Sequence, residues 1–129
     1  MTSGHYENSI GTEIVGGAMT VHSALGPGLL ESAYEFCLAH ELAKRGLAIR
    51  KQVSIPIIYD GLAVEHGYRI DLLANGLVVV ELKAIESVTL VHRAQLLSYL
   101  RLGRFKLGYL LNFNVAHMRH GITRLVNGL

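Results

Sequence analysis

Cysteine is nearly missing from these 129 residues, and so is any strong excess of one charge. A single cysteine, Cys37, excludes an intrachain disulfide framework and suits a reducing, cytoplasmic compartment. No apolar run approaches the roughly 18 residues that a membrane span needs, so a soluble chain with no membrane partner is expected. The opening stretch MTSGHYENSIGTE has no basic segment followed by an apolar one, and no signal peptide is read from it. Net charge is +2 with seven histidines, a mild bias that is compatible with a polyanionic partner but does not demand one. Only 17% of the residues are charged while 50% are hydrophobic, which excludes disorder and predicts one domain over 1–129. That apolar fraction is high for a small chain. It points to a surface buried between copies, hence a homodimer.

Apolar residues at Ile10, Ile14, Ala18, Val21 and Leu25 recur at helical spacing, predicting a helix from Ser9 to Leu25. Gly26-Pro27-Gly28 stops it, and a second helix follows from about Leu29 to Arg45, closed by Gly46. Arg50 to Tyr59 reads as a strand, and Pro56 marks it as an edge. A turn at Asp60-Gly61 leads to a strand ending near Asp71 and Leu72, and Asn75-Gly76 signals another hairpin. Leu77 to Lys83 is apolar enough to be a central strand covered on both faces. A third helix is expected from Leu90 to Leu102, capped by Thr89 and ended by Gly103, with Leu90, Ala94, Leu97 and Leu100 or Arg101 on its apolar side. Strands at Leu107 to Asn112 and about Met118 to Val126 complete the order ααβββαββ. This is an α+β or α/β chain with helices on a mixed sheet.

Charges interrupt the two most apolar strands. "GYRIDLL" carries Asp71 and "VVVELKA" carries Glu81 and Lys83. Glu81 and Lys83 are two apart on a strand and share a face. Asp71 joins them only if the Ala74-Asn75-Gly76 connection has an odd count. With Gly76 left-handed in a bulged turn, Asp71 would pair with Val79 and all three charges would share one face. A plain two-residue hairpin would put Glu81 on the far side. Two carboxylates on neighbouring strands suit Mg²⁺ or Mn²⁺, hard cations that take oxygen ligands. A nearby ammonium can orient a water and offset charge at a phosphorus centre. An isolated E-x-K is usually only a solvated strand edge. The third helix places His92, Gln95 and Tyr99 on one side, and the second places Glu31 and Tyr34 together near its start. "GPGLLE" superficially looks like a phosphate-binding glycine loop, but no strand precedes it.

Taken in order, Glu31, Asp71, Glu81-x-Lys83 and Gln95-x-x-x-Tyr99 resemble the PD-(D/E)xK nuclease superfamily, in its RecB-like or λ-exonuclease-like branch. "GLLESAY" (Gly28, Glu31, Tyr34) is similar to the motif of the GxxExxY family, as are "VVVELKA" and "HRAQLLSYL". The resemblance runs from about Ile10 to Val126, and departs from the superfamily label where Ile70 stands in place of proline. It implies a restriction-endonuclease-like fold and a metal-dependent phosphodiesterase acting on nucleic acid, DNA in first place. It also implies Mg²⁺ or Mn²⁺ held by Asp71 and Glu81, with the Leu82 carbonyl as a further ligand and Glu31 completing the acidic cluster. Lys83 would position the water, and Gln95 and Tyr99 would support Lys83 or touch the nucleic-acid backbone. His22 is a further candidate for the metal, against the commoner satisfied histidine, and Cys37 reads as a small core residue. The competing readings are a catalytically silent nucleic-acid- or protein-binding module on the same fold, and a structural partner whose charges form no site.

Overall fold

The structure, a computed structural model, describes residues 5–129 apart from the side chains of His5 and His66, so the MTSG segment read for a leader lies outside the described residues. The helical repeat Ile10, Ile14, Ala18 and Val21 is buried along one side of α1 (His5–Leu25), while Leu25 is partly exposed. Helix α2 (Glu31–Lys44) buries Tyr34, Leu38, Ala39 and Leu42. Strands β1 (Ile49–Tyr59), β2 (Leu62–Ala74) and β3 (Val78–Lys83) follow, then α3 (Leu90–Gly103), β4 (Leu107–Asn112), a 3₁₀ turn (Met118–His120) and β5 (Ile122–Val126). The strands form one five-stranded sheet in the order β1-β2-β3-β4-β5. All neighbours are antiparallel except β3 and β4, whose parallel pairing is made possible by the crossover helix α3. No described helix is long and apolar enough to cross a membrane.

Alternation along the central strands sorts the core into two layers. Leu72, Val78, Val80, Leu82, Leu107 and Leu111 pack against α1 and α2, and Leu73, Val79 and Leu110 pack with Leu96 and Leu100 of α3. Each fully buried aliphatic side chain contributes about 1.5–3 kcal/mol. β3 is central and covered on both faces, and β1, with Pro56, is an edge.

Several boundaries and one face differ from the sequence reading, among them the start of α1, at His5 rather than Ser9. α2 begins at Glu31 rather than Leu29, because Leu29 is held in the preceding turn: its N–H donates to the Tyr34 hydroxyl (3.1 Å), which donates to the Gly26 carbonyl (2.6 Å). Gly103 belongs to α3, and the left-handed residue is Arg104 (φ 59°). Gly103 is needed for another reason: a Cβ there would lie 2.4 Å from the Phe105 ring. The segment from Met118 opens as a 3₁₀ turn, so β5 starts only at Ile122. The side of α3 that meets the sheet is Leu96 and Leu100, not the Leu90–Ala94–Leu97 stripe, which is exposed.

The β2–β3 hairpin has the odd connection that a shared site requires. Asn75 (φ 52°) and Gly76 (φ 68°) are both left-handed, Leu77 N–H bonds the Ala74 carbonyl at 3.0 Å, and Ala74 is paired with Val78. Leu77 and Val78 thus both oppose Ala74, a bulge. The register nevertheless differs by two from the expected pairing. Val79 faces Leu73, not Asp71, because buried Ala74 stays in the ladder and the loop starts only at Asn75. Continued one step past Leu72↔Val80, this register sets Asp71 opposite Glu81.

Candidate active site

Backbone pairing between β2 and β3 stops at Leu72↔Val80, while β2 stays with β1 along its whole length. The sheet therefore forks. At the crotch the next polar groups are satisfied by side chains: Asp71 N–H donates to Glu81 Oε1 (3.1 Å) and Leu82 N–H donates to Asp71 Oδ2 (2.9 Å). Each acid caps the backbone of the other strand, which answers the question of where an opened ladder sends its hydrogen bonds. Alternation along β3 sends the Leu82 carbonyl to the same edge as its N–H, while the Lys83 carbonyl accepts from Phe113 N–H on the β4 side (3.0 Å).

A second irregularity lies directly across from Asp71. Gln52 of β1 is left-handed (φ 52°) and drops out of the ladder between Lys51↔Leu72 and Val53↔Ile70; the register shifts again between Ile55 and Ile57. On either side of it the strands change layers: Ile49 and Leu72 belong to the helix α1–α2 side, Val53 and Ile70 to the α3 side. Gln52 Nε2 donates to Glu35 Oε1 on α2. Glu31, Ser32, Glu35, Gln52, Arg69 and Asp71 line one cleft of about 300 Å³.

The electrostatics follow from this crowding. Glu81 is only 7% exposed, and burial, then the neighbouring Asp71 charge, push its carboxyl up to about 8. The Glu31 and Glu35 carboxyls are both raised, by burial first and Asp71 second; Lys83 opposes the shift at Glu31. Tyr99 is raised by burial first and then by the Glu81 charge, against the hydrogen bond from Gln95, which lowers it. Lys83 is half-buried, and among the described residues it makes no close ion pair with a carboxylate.

The predicted residues thus distribute as follows. Asp71 and Glu81 are in direct contact, Lys83 follows on the same face of β3, and Glu31 reaches the cleft from the start of α2. Tyr34 does not share that exposure. It is fully buried, stacked on Phe113 at 4.6 Å, and fixes the turn ahead of Glu31 through its hydroxyl. On α3, Gln95 Nε2 donates to the Tyr99 hydroxyl (2.8 Å), and the Tyr99 ring stacks on Tyr68 at 4.3 Å. His92 serves as a cap, its Nδ1 taking the Thr89 N–H at 3.0 Å. His22 is a satisfied histidine, its Nε2 2.7 Å from the Val115 carbonyl, and it lines a separate cavity with His117 and Arg119. Cys37 packs against the core from α2. Sequence reasoning missed Glu35, Gln52 and Arg69. Glu35 was findable one helical turn after Glu31. Gln52 was not, because its place opposite Asp71 depends on a register that no local signal sets.

A divalent cation is tested here by the donor set. Asp71 and Glu81 supply hard oxygens, and the burial and the Asp71 charge that raise the Glu81 carboxyl to about 8 are what a cation would offset. The pair fits, and Glu31 lines the cleft that Asp71 also lines. Among the described residues no three His, Cys, Asp or Glu side chains already converge as a metal-binding group.

A mixed sheet forked at an acidic pair, with helices on both faces, is the layout of a restriction-endonuclease-like fold. The chain belongs to the PD-(D/E)XK nuclease superfamily, whose family model matches residues 8–125. Proteins of this superfamily are generally nucleases and usually use divalent metals. No curated protein and no solved structure gives a significant match to the chain.

Proposed function

We propose that this single domain is a nuclease of the cytoplasm that hydrolyses phosphodiester bonds of nucleic acid, DNA in first place, with Mg²⁺ or Mn²⁺. The observation that carries the reading is the reciprocal contact of Asp71 and Glu81 at the fork of β2 and β3, inside a chain of nuclease ancestry. Asp71 and Glu81 would hold the cation, joined by the Leu82 carbonyl and, from α2, Glu31. A cation bound there lowers the pKa of a bound water and offsets charge on the phosphate. Lys83, half-buried and without a close carboxylate partner, is free to hydrogen-bond the attacking water and to set positive charge beside the phosphate oxygens as negative charge builds. Tyr99, held by Gln95 and stacked on Tyr68, presents its hydroxyl to the acidic pair from the other layer. Glu35 and Gln52 steady the β1 side of the cleft, and Arg69 offers it a positive charge for a backbone phosphate.

The test is a gel assay on single- and double-stranded DNA and on RNA, with Mg²⁺, Mn²⁺ or EDTA, beside Asp71→Asn. The expected result is cleavage that needs the metal and is lost in the variant. Cleavage surviving in Asp71→Asn, or metal-dependent binding with no cleavage of any substrate, would replace this reading with contamination or with a silent binding module.

A further inference from the structure

Helix α3 carries two apolar stripes, and the sheet uses only one. Leu96 and Leu100 are buried, while Leu90 (82% exposed), Ala94 and Leu97 stand outward at i, i+4 and i+7. Around them the helix and its C-terminal cap are purely basic: Arg93, Arg101 and Arg104 are exposed, and the helix holds no Asp or Glu. None of these arginines joins an ion pair among the described residues.

The β1–β2 hairpin has the matching problem. Its α3-facing side runs through Val53, Ile55 and Ile57, with Tyr68 and Ile70 opposite, and all of these pack with the α3 layer. The same face continues past Ile57↔Val64 to the pair Tyr59↔Leu62, where nothing covers it: Tyr59 is 73% and Leu62 68% exposed. At the turn of this apolar tip the charge is acidic, Asp60, while Glu65 lines the opposite face with Ser54, Pro56 and Ala63. The chain's own α3 cannot cover the tip with its outer stripe, because that stripe points away from the sheet that its inner stripe holds.

We propose that the hairpin tip of one copy packs against the outer stripe of α3 in a second copy, and reciprocally. Tyr59, Leu62 and Val64 meet Leu90, Ala94 and Leu97, while Asp60 meets the arginines of α3. A second copy is the occupant because one chain carries both halves of the match, apolar to apolar and acidic to basic. Each copy gives one tip and takes one, so a two-fold pair closes with neither surface left over. The contact is independent of the nuclease reading.

The test is mass in solution by light scattering on the full chain, with circular dichroism to show that each variant is folded. The wild-type protein is expected at twice its 14.1 kDa chain mass at high micromolar concentration. Leu62→Asp and Leu90→Glu each fall to the mass of one chain. Mixed in equal amounts they regain a pair, since the tip of the second still fits the helix of the first. Reversing the tip alone (Asp60→Arg) also separates the copies, and adding Arg93→Glu with Arg101→Glu restores them. A wild-type protein that stays at 14.1 kDa overturns the proposal, as does a mixture that fails to pair. Mass growing without limit would mean an open chain of contacts instead. Variants that weaken nucleic-acid binding and leave the mass unchanged would assign the α3 stripe to nucleic acid and equally overturn it.

Discussion

Asp71 and Glu81 exchange hydrogen bonds across the point where β2 and β3 part: Asp71 N–H to Glu81 Oε1 at 3.1 Å, and Leu82 N–H to Asp71 Oδ2 at 2.9 Å. Two acids are thus brought together by backbone groups that lost their ladder partners. The arrangement sets two carboxyl groups beside each other in a partly dry crevice, which disfavours charging both and raises Glu81. Structure alone gains little from that charge. An amide would satisfy either N–H equally well, which makes the conservative variants informative.

Asp71→Asn and Glu81→Gln should therefore leave the fold intact and lower cleavage by orders of magnitude, since each keeps shape and a hydrogen-bond acceptor but removes a charged oxygen. Divalent binding should weaken in both. Calorimetry with Mg²⁺ or Mn²⁺ is the check, and unchanged affinity in both variants would remove the metal from these two residues.

The pH dependence of the metal-free protein has a definite sign. Glu81 is raised from 4.5 in the unfolded chain to about 8 in the folded one, so between those values the folded state binds more protons. Stability from this group is present in full below pH 4.5 and is lost as pH rises towards about 8. The size is roughly a few kcal/mol across that window. Urea titrations of the parent and of Glu81→Gln at several pH values should show the larger loss in the parent, with the raised Glu31 and Glu35 carboxyls leaving a smaller one in the variant. Saturating Mg²⁺ should reverse it, with a proton released on binding.

Lys83→Ala should separate binding from turnover. With no carboxylate within ion-pair distance, the ammonium is not needed to hold Asp71 or Glu81 in place. Divalent affinity should hold or rise as a nearby positive charge disappears, while kcat collapses. Parent-like kcat would take Lys83 out of the reaction.

Tyr34→Phe should keep the stack on Phe113 and lose only the hydroxyl that joins Leu29 N–H to the Gly26 carbonyl. Leaving these groups unpaired costs about 1–3 kcal/mol. A shift of the denaturant midpoint without a change in slope is the expected readout, and no shift would mean that water replaces the hydroxyl at no cost.

Where periodicity was strong, the chain was legible. The inward stripe of α1, the central β3 covered on both faces, the edge position of β1 and a turn at Asn75-Gly76 follow from spacing, proline and glycine, whereas the odd count of that turn stayed open until the structure showed it. The hairpin register was off by two because burial of Ala74, not turn chemistry, decides where the loop begins. The buried face of α3 was misread for a related reason. Both of its sides are apolar, and composition cannot tell a stripe that meets the sheet from one that does not. Gln52 escaped because its cross-strand place opposite Asp71 is set by register, whereas Glu35, one helical turn after Glu31, was within reach of local spacing.

Gln52 yields the most discriminating backbone experiment. A left-handed glutamine costs about 1–2 kcal/mol relative to glycine's freedom there, partly offset by the greater entropy that glycine loses on folding. Its amide, in return, reaches Glu35 across the cleft from the strand position opposite Asp71. Gln52→Ala keeps the strained backbone and loses the amide. Gln52→Gly relieves the backbone and loses the same amide. The glycine variant should therefore be the more stable of the two by about 1 kcal/mol, read from urea midpoints. Both should lose activity to the same extent, because Glu35 is released in each. Equal stability would show that the left-handed turn carries no strain. Parent-like kcat/KM in both would show that the Gln52–Glu35 bridge shapes β1 without steadying the site. A glycine variant that regains activity while alanine does not would place the function in the backbone turn that carries the strands from one layer to the other.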